Sequence, residues 1–167
     1  GLEVEGSMKL NDMIRLDGAV SFGNWKFAGD ADGLYTDYSQ ETTTQTAYTY
    51  ALDGLYVGDQ PQTAYVLGTT LTPMDGLRLQ GIFKMYDKNY ADWSPDSREL
   101  SGDADRTQVW QAPGYNRLDL HASYKLPKVA GYDMTLTGHV FNALDAVYVQ
   151  DAVDNSQYNG YGDKLHL

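Results

Sequence analysis

The feature that most constrains the fold is a strict alternation of apolar and polar residues that recurs along the chain. In the segment 14–20, for example, Ile14, Leu16 and Val20 alternate with Arg15 and Asp17. Because successive side chains of a β-strand point to opposite faces, a period of two predicts strands with one apolar and one polar face. The pattern predicts six antiparallel strands, at about 2–9, 12–27, 62–73, 76–92, 114–127 and 131–149.

The connections between these predicted strands alternate in length. Short turns follow the first, third and fifth strands, whereas long segments rich in Gly, Asp, Thr and Tyr follow the second, fourth and sixth. In outer-membrane barrels the periplasmic turns are short and the extracellular loops are long. The sequence therefore predicts an all-β fold, an antiparallel transmembrane β-barrel segment. Within the first long segment, residues 48–50 and 55–57 are predicted to form a small hairpin.

The short turns also predict how neighbouring strands pair. The pairs expected next to the turns are Met8 with Ile14, Leu71 with Leu77, and Leu126 with Met134. In an antiparallel pair, each step forward along one strand matches one step back along the other. The third register therefore places His121 directly opposite His139 on the polar face. Eight residues of the apolar face are predicted to contact lipid: Leu16, Val20, Leu67, Leu79, Phe83, Leu120, Leu136 and Val140.

Composition narrows the function classes. Acidic residues outnumber basic ones 23 to 12, which disfavours nucleic acid as a partner because phosphate binding needs a basic surface. The chain has no Cys, which excludes disulfides and thiolate metal sites. No run reaches the roughly 20 apolar residues of a membrane helix, whereas a barrel strand needs only about 9–11 residues. Six aromatic residues near strand ends are expected to form an interfacial girdle: Trp25, Phe27, Tyr90, Trp93, Tyr115 and Tyr148.

Three segments resemble one protein family. They are residues 58–62 (Gly-Asp-Gln-Pro-Gln) with 72–77 (Thr-Pro-Met-Asp-Gly-Leu), residues 86–93 (Tyr-Asp-Lys-Asn-Tyr-Ala-Asp-Trp), and residues 139–148 (His-Val-Phe-Asn-Ala-Leu-Asp-Ala-Val-Tyr). They are similar to segments of TonB-dependent outer-membrane receptors of the Bacteroidetes type, whose barrels carry an Asn-Leu-Phe-Asp…Tyr signature near their end. In this chain Ala143 and Leu144 stand where Leu and Phe are usual.

The resemblance covers nearly the whole chain. It implies that residues 1–167 are the C-terminal part of a receptor barrel, about six strands of roughly 22, with the plug domain and the closing strand absent from this stretch. It further implies active uptake of a nutrient such as a glycan, siderophore or cobalamin, by an integral multi-pass protein of the bacterial outer membrane. The implied partners are outer-membrane lipid, the rest of the receptor chain with its plug, TonB, and a SusD-like surface lipoprotein.

The long connections are predicted to carry the ligand site, since binding residues concentrate on loops and aromatic faces stack on sugars and chelates. The candidate ligand-binding residues are Tyr35, Tyr38, Trp93, Trp110, Tyr158 and Tyr161. No cofactor is assigned, although Asp30 and Asp32 are candidate Ca²⁺ ligands because residues 29–33 (Gly-Asp-Ala-Asp-Gly) begin like a calcium loop. That loop lacks the bidentate Glu at its twelfth position.

Three other functions stay open at this stage: a passive porin segment, an outer-membrane hydrolase and a soluble all-β binding module. The hydrolase alternative rests on Asp119, His121 and Ser123, which are the residue types of a catalytic triad. Residues two apart on a strand lie roughly 6.6 Å apart, too far for direct hydrogen bonds, so no catalytic residue is assigned and no enzyme is expected. An upstream plug domain separates a receptor from a porin, and a need for detergent separates both from a soluble module.

Overall fold

The computed structural model describes residues 1–38, 44–93, 98, 106–128, 130–154 and 165–166. The named elements of these residues are all β-strands, and every pair of named strands is antiparallel. They contain no helix that is long and apolar enough to cross a membrane. The all-β antiparallel class predicted from the alternation is therefore confirmed.

The chain divides into two compact units. The sheet unit comprises Gly1–Gly23, Gln62–Lys88 and Pro113–Tyr148, and the loop unit comprises Asn24–Pro61, Asn89–Ala112 and Val149–Leu167. The three segments of the loop unit correspond closely to the three long connections that the sequence predicts.

The sheet unit contains six strands, and each pairs with the next of the six along the chain. They are β1 (Leu2–Lys9), β2 (Ile14–Phe22), β5 (Thr63–Met74), β6 (Leu77–Asp87), β9 (Tyr115–Lys125) and β10 (Thr135–Val140). The six predicted strands are confirmed, but β2, β6 and β10 end earlier than expected. After β6 the backbone turns at Lys88, and after β10 it turns at Asn142 and Asp145, all three with positive φ. An L-residue adopts that conformation in turns rather than in strands.

The register of the third hairpin is confirmed. His139 pairs with His121, and Val140 pairs with Leu120. The turn closes through Ala130 and Gly131, both with positive φ, and Leu126 donates its N–H to the carbonyl of Met134.

The registers of the first two hairpins differ from the prediction by two residues, although the faces are as expected. Met8 pairs with Leu16 rather than with Ile14. The cause is local turn chemistry, because the Asn11 Oδ1 accepts hydrogen bonds from the N–H groups of Met13 and Ile14 at 2.8 and 2.9 Å. An Asn side chain that bonds backbone two residues ahead builds its own turn and shifts its centre.

In the second hairpin, Leu71 pairs with Leu79 rather than with Leu77. The turn here is only Asp75-Gly76, with Gly76 at φ +79°, and Met74 still pairs with Leu77. Between Leu71 and Met74 the register shifts by one residue, at the position of Pro73. Proline has no N–H to give to the ladder and sits in sheets at bulges, which explains the shift.

The described part of the loop unit contains three short antiparallel pairs. They are β3 (Ala31–Asp37) with β4 (Thr44–Tyr50), β7 (Asn89–Tyr90) with β8 (Gln111–Ala112), and β11 (Val153–Asp154) with β12 (Leu165–His166). The predicted hairpin of residues 48–50 and 55–57 is wrong, because the partner of β4 is β3, and Tyr56 instead makes an isolated bridge with Lys26. Asp and Gly are poor strand formers, and they obscured the alternation within β3.

Candidate functional site

One face of the six-stranded sheet is apolar and exposed. The registers place the following side chains on this apolar face: Leu2, Val4, Met8, Leu16, Val20, Phe22, Tyr65, Leu67, Leu71, Leu79, Phe83, Met85, Leu118, Leu120, Tyr124, Leu136 and Val140. Leu67 is 54% exposed, Leu136 65% and Val140 55%. The eight residues predicted to face lipid all lie on this face. Since water-soluble monomers rarely expose a contiguous apolar patch of this extent, the face is a candidate interaction surface.

The opposite, polar face carries charges, hydroxyls and amides. Its members include Glu5, Arg15, Asp17, Gln80 and Asp119. A depression of about 600 Å³ on this face is lined by residues of β1, β2, β5 and β6, and a second of about 270 Å³ is lined by residues of β6, β9 and β10. Both depressions lie among the polar side chains, so this side of the sheet holds space that water can fill.

A buried carboxylate, Asp119, organises the polar face. Its side chain is 3% exposed, and its Oδ2 accepts hydrogen bonds from Lys84 Nζ and Arg117 Nη2, both at 3.1 Å. Its Oδ1 accepts the backbone N–H of Asn142 at 3.0 Å. The carboxylate is thus paired with two cations and fully engaged, as a buried charge must be.

Residues 142–146, directly after β10, form a closed turn next to Asp119. The Asn142 Oδ1 accepts the N–H of Ala146, and its Nδ2 donates to the carbonyl of the same residue, both at 3.0 Å. Ala143 donates its N–H to the carbonyl of Leu118 at 2.7 Å, which fastens the turn to β9. Asn142 has φ of +52°, a conformation that Asn tolerates better than most residues. Asn142, which belongs to the segment 139–148, therefore holds this turn together through its side chain.

The hydrolase alternative gains no support from this geometry. Asp119 bonds to Lys84, Arg117 and Asn142, whereas His121 Nδ1 lies 2.8 Å from His139 Nδ1. Within the described chain no hydrogen bond joins the Asp119 carboxylate to the His121 ring, so the acid-to-imidazole link of a triad is not formed.

The two candidate calcium ligands of the loop unit are engaged by protein groups. The Asp30 carboxylate accepts hydrogen bonds from Nη1 and Nη2 of Arg106, at 3.0 and 2.7 Å, and from the backbone N–H groups of Leu52 and Asp53. These bonds, foremost the one from Arg106, lower the pKa of Asp30 from 3.8 to about 2. Asp32 accepts the Thr49 hydroxyl across the β3–β4 hairpin at 2.7 Å. Among the described residues no group of three or more His, Cys, Asp or Glu gathers around a common point.

A second acidic group lies elsewhere in the loop unit. Asp59 has φ of +61° and donates its N–H to the Tyr90 carbonyl. Burial, followed by the charges of Asp92 and Asp151, raises the pKa of Asp59. Asp59, Asp92 and Asp151 together concentrate negative charge, but no contact among the described residues indicates which ligand they would bind.

The six predicted ligand-binding residues do not form one described site. Tyr158 and Tyr161 lie outside the described residues, and Tyr35 is described only through its backbone, which pairs with Thr46. Tyr38 is 79% exposed. Trp93 packs edge-on against Phe27 with ring centroids 5.7 Å apart. Its indole Nε1 is buried without a hydrogen-bond acceptor in the described chain. Trp110 is half-buried, and its carbonyl accepts the N–H of Ala91.

The predicted aromatic girdle is wrong for at least two of its members. Tyr90 is only 7% exposed and stacks on Tyr56 with ring centroids 4.1 Å apart, so it belongs to the interior of the loop unit. Tyr115 lies on the polar face and stacks on Tyr148 at 4.2 Å. These rings pair with one another because stacked aromatic pairs gain more than their burial alone provides.

Sequence reasoning missed the Asp119 cluster, although a signal for it was present. Arg117 and Asp119 are charges of opposite sign on one face of a predicted strand, and Lys84 shares that face on the neighbouring strand. Opposite charges brought side by side in a sheet pair readily. The contribution of Asn142 was not readable, since it depends on a turn inside a segment predicted to be strand.

Comparison with known proteins found no match: no family model, no curated protein and no solved structure matches this chain.

Proposed function

We propose that this chain forms part of the barrel wall of a TonB-dependent receptor in the bacterial outer membrane, which takes up a nutrient actively. The observation that carries the proposal is the two-faced sheet, with an exposed apolar face on one side and a polar face with open depressions on the other. Transmembrane barrels alternate apolar side chains toward lipid with polar ones toward a wet interior. We therefore propose that this apolar face contacts lipid.

The lengths of four of the six sheet strands support a membrane crossing, whereas β1 and β10 have 8 and 6 residues. β5, β6 and β9 have 12, 11 and 11 residues, and β2 has 9. A tilted transmembrane β-strand needs about 9–11 residues to cross the hydrocarbon core. The short turns at one end of these strands and the long segments at the other fit the periplasmic and extracellular sides of such a barrel.

The sheet as described is open at both edges, since β1 and β10 each pair with a single named strand. Open sheet edges are not tolerated inside the hydrocarbon core, because backbone groups there have no water to bond. The proposal therefore includes further strands beside β1 and β10, as in a barrel of roughly 22 strands.

The TonB-dependent step is supported by the resemblance of residues 58–62, 72–77, 86–93 and 139–148 to receptor segments. In such a receptor the partners are the plug domain, TonB and a SusD-like lipoprotein. Tyr38, Trp93 and Trp110 would contribute to recognition of a glycan, siderophore or cobalamin from the loop unit.

The test uses the complete reading frame that contains this chain, in its own cells. The proposal expects the protein in the outer-membrane fraction, a plug domain upstream of the barrel, and uptake that stops when TonB is deleted. Uptake that continues without TonB would make the protein a passive porin. Recovery of the protein in the aqueous fraction without detergent would contradict the membrane assignment itself.

A further inference from the structure

We propose that His121 and His139 form a binding site for one first-row transition-metal ion of the Cu²⁺, Ni²⁺ and Zn²⁺ group. The two residues sit directly opposite each other on β9 and β10, and their Nδ1 atoms lie 2.8 Å apart on the polar face. Neutral imidazole is a good ligand for these borderline ions. The inference needs only the β9–β10 hairpin and does not depend on the proposed transport function.

The spacing of the two nitrogens matches chelation. Metal–imidazole bonds are about 2.0–2.1 Å long, so two such bonds at a right angle place their nitrogens roughly 2.9 Å apart. The observed 2.8 Å is close to that value, so the backbone need not move to admit an ion. A right angle between ligands is what square-planar and octahedral ions use, which favours Cu²⁺ and Ni²⁺ over tetrahedral Zn²⁺.

The ring positions are supported from one side by Phe141. Its ring centroid lies 5.7 Å from that of His121 and 6.0 Å from that of His139, and its plane is nearly parallel to the His139 ring. Packing against a common aromatic ring restricts rotation of both imidazoles. A preorganised pair of ligands binds more tightly, because less conformational freedom is lost on binding.

The surroundings leave room for the rest of the coordination sphere. The histidines line a depression of about 270 Å³ together with Arg78, Gln80, Ser123 and Thr137. Two protein ligands leave the remaining positions to water or to donor atoms of a bound ligand, as in metal sites that keep an open position. Arg78 is the positive charge in this depression, and its repulsion of a dication weakens the site.

Metal binding requires a rearrangement of one proton. In the observed contact one Nδ1 donates its N–H and the other accepts it. An ion bound to both Nδ1 atoms needs both lone pairs, so the donor ring loses its Nδ1 proton to solvent and takes one up at Nε2. For two neutral rings the exchange releases no net proton.

The test titrates Cu²⁺ into the full-length protein that contains this chain, purified in detergent micelles, and measures affinity by calorimetry and the ligand atoms by electron paramagnetic resonance. The chain offers a matched control, because His166 is its third and last histidine. The variants are His121→Ala, His139→Ala and their double, with His139→Asn as a polar alternative. The double variant also gives the background from carboxylates and the amino terminus. Far-UV circular dichroism checks that each variant folds.

The expected result is one site with two equatorial imidazole nitrogens in the wild type and in His166→Ala. Each of the single variants at His121 and His139 should bind Cu²⁺ at least about tenfold more weakly. The reason is that the second imidazole, which is held at a high effective concentration next to the first, is lost. Arg78→Gln should bind Cu²⁺ more tightly than the wild type. Equal affinity in the wild type and the folded double variant, or loss of binding in His166→Ala alone, would overturn the proposal.

Discussion

The loop unit and the sheet unit bury opposite kinds of side chain. In the loop unit the buried side chains are mainly apolar: Ala51, Leu52, Leu55, Tyr90, Ala91, Val109, Ala112 and Ala152. In the sheet unit the buried side chains of the described residues are polar: Gln62, Thr63, Thr70 and Asp119. The large apolar side chains of the sheet are exposed or half-buried instead.

Among the described residues, the loop unit has the buried apolar interior that is typical of a domain folded in water. Burial of apolar surface is the main term that favours folding in water, and the loop unit supplies it from its own side chains. The sheet unit does not bury its apolar face against the described chain. Under the proposed function, lipid covers that face. The same kind of substitution should therefore destabilise the two units to different extents.

The largest difference is expected from removing a leucine in each unit. Leu55→Ala leaves a cavity at a side chain that is 2% exposed and should cost about 2–5 kcal/mol. Leu136→Ala on the apolar face should cost only about 1–2 kcal/mol in lipid, because lipid fills the space and only the transfer term is lost. All three tryptophans lie in the loop unit, so tryptophan fluorescence during denaturation measures the change in stability that Leu55→Ala causes. Equal costs in lipid would break the comparison.

A charge placed on each face of the sheet gives the next effect. Leu120→Arg puts a cation on the apolar face and should cost on the order of 2–4 kcal/mol of folding free energy in vesicles. Thr137→Arg, on the polar face, should cost little, since water solvates the guanidinium there. Folding titrations into lipid vesicles measure both variants. A similar penalty on the two faces would argue against lipid as the cover of the apolar face.

The buried polar contacts of the sheet predict a smaller effect. Asp119→Asn keeps the shape of the side chain and an acceptor for the Asn142 N–H, but it removes the negative charge that pairs with Lys84 and Arg117. The substitution should lower the free energy of unfolding by about 1.5–3 kcal/mol. Asp17→Asn is the matched control, because its ion pair with Arg15 is exposed and should contribute less than about 1 kcal/mol. Chemical denaturation in micelles compares the two, and a larger cost for the control would refute the role given to Asp119.

The smallest effect is a pH dependence in the loop unit. The pKa of Asp30 falls from 3.8 in the unfolded chain to about 2 in the folded one, so its contribution is present above pH 3.8 and is lost as pH falls through about 2. Hydrogen exchange of the Leu52 and Asp53 amides, both bonded to Asp30, follows this loss. Asp30→Asn should remove the pH dependence in that window, and an unchanged profile would show that another group causes it.

The fold of the sheet unit was predictable from the sequence because one physical rule governs it. Alternation fixes which residues share a face, and an error of two residues leaves the faces intact, as in the first two hairpins. The registers themselves depend on Asn11 and Pro73, whose turn and bulge chemistry no periodicity records. The third register was correct because the Ala130-Gly131 turn is centred where the alternation placed it.

The candidate sites were less predictable than the sheet. The His121–His139 contact followed from register alone, whereas the Asp119 cluster required the turn at Asn142, which interrupts a segment of strand-like composition. In the loop unit, the interior around Leu55 and Tyr90 is made by chain segments far apart in sequence. Contacts of that kind leave no periodic pattern to read.

The most direct test of the central claim, that the apolar face of the sheet contacts lipid, uses two adjacent residues. The chain has no cysteine, so Leu136→Cys and Thr137→Cys each place a single nitroxide spin label, one on each face of β10. In lipid vesicles, power saturation compares oxygen, which concentrates in the bilayer, with a water-soluble chromium chelate. We expect the label at position 136 to be more accessible to oxygen and the label at position 137 to be more accessible to the chelate. Equal access of the chelate to both labels would contradict it.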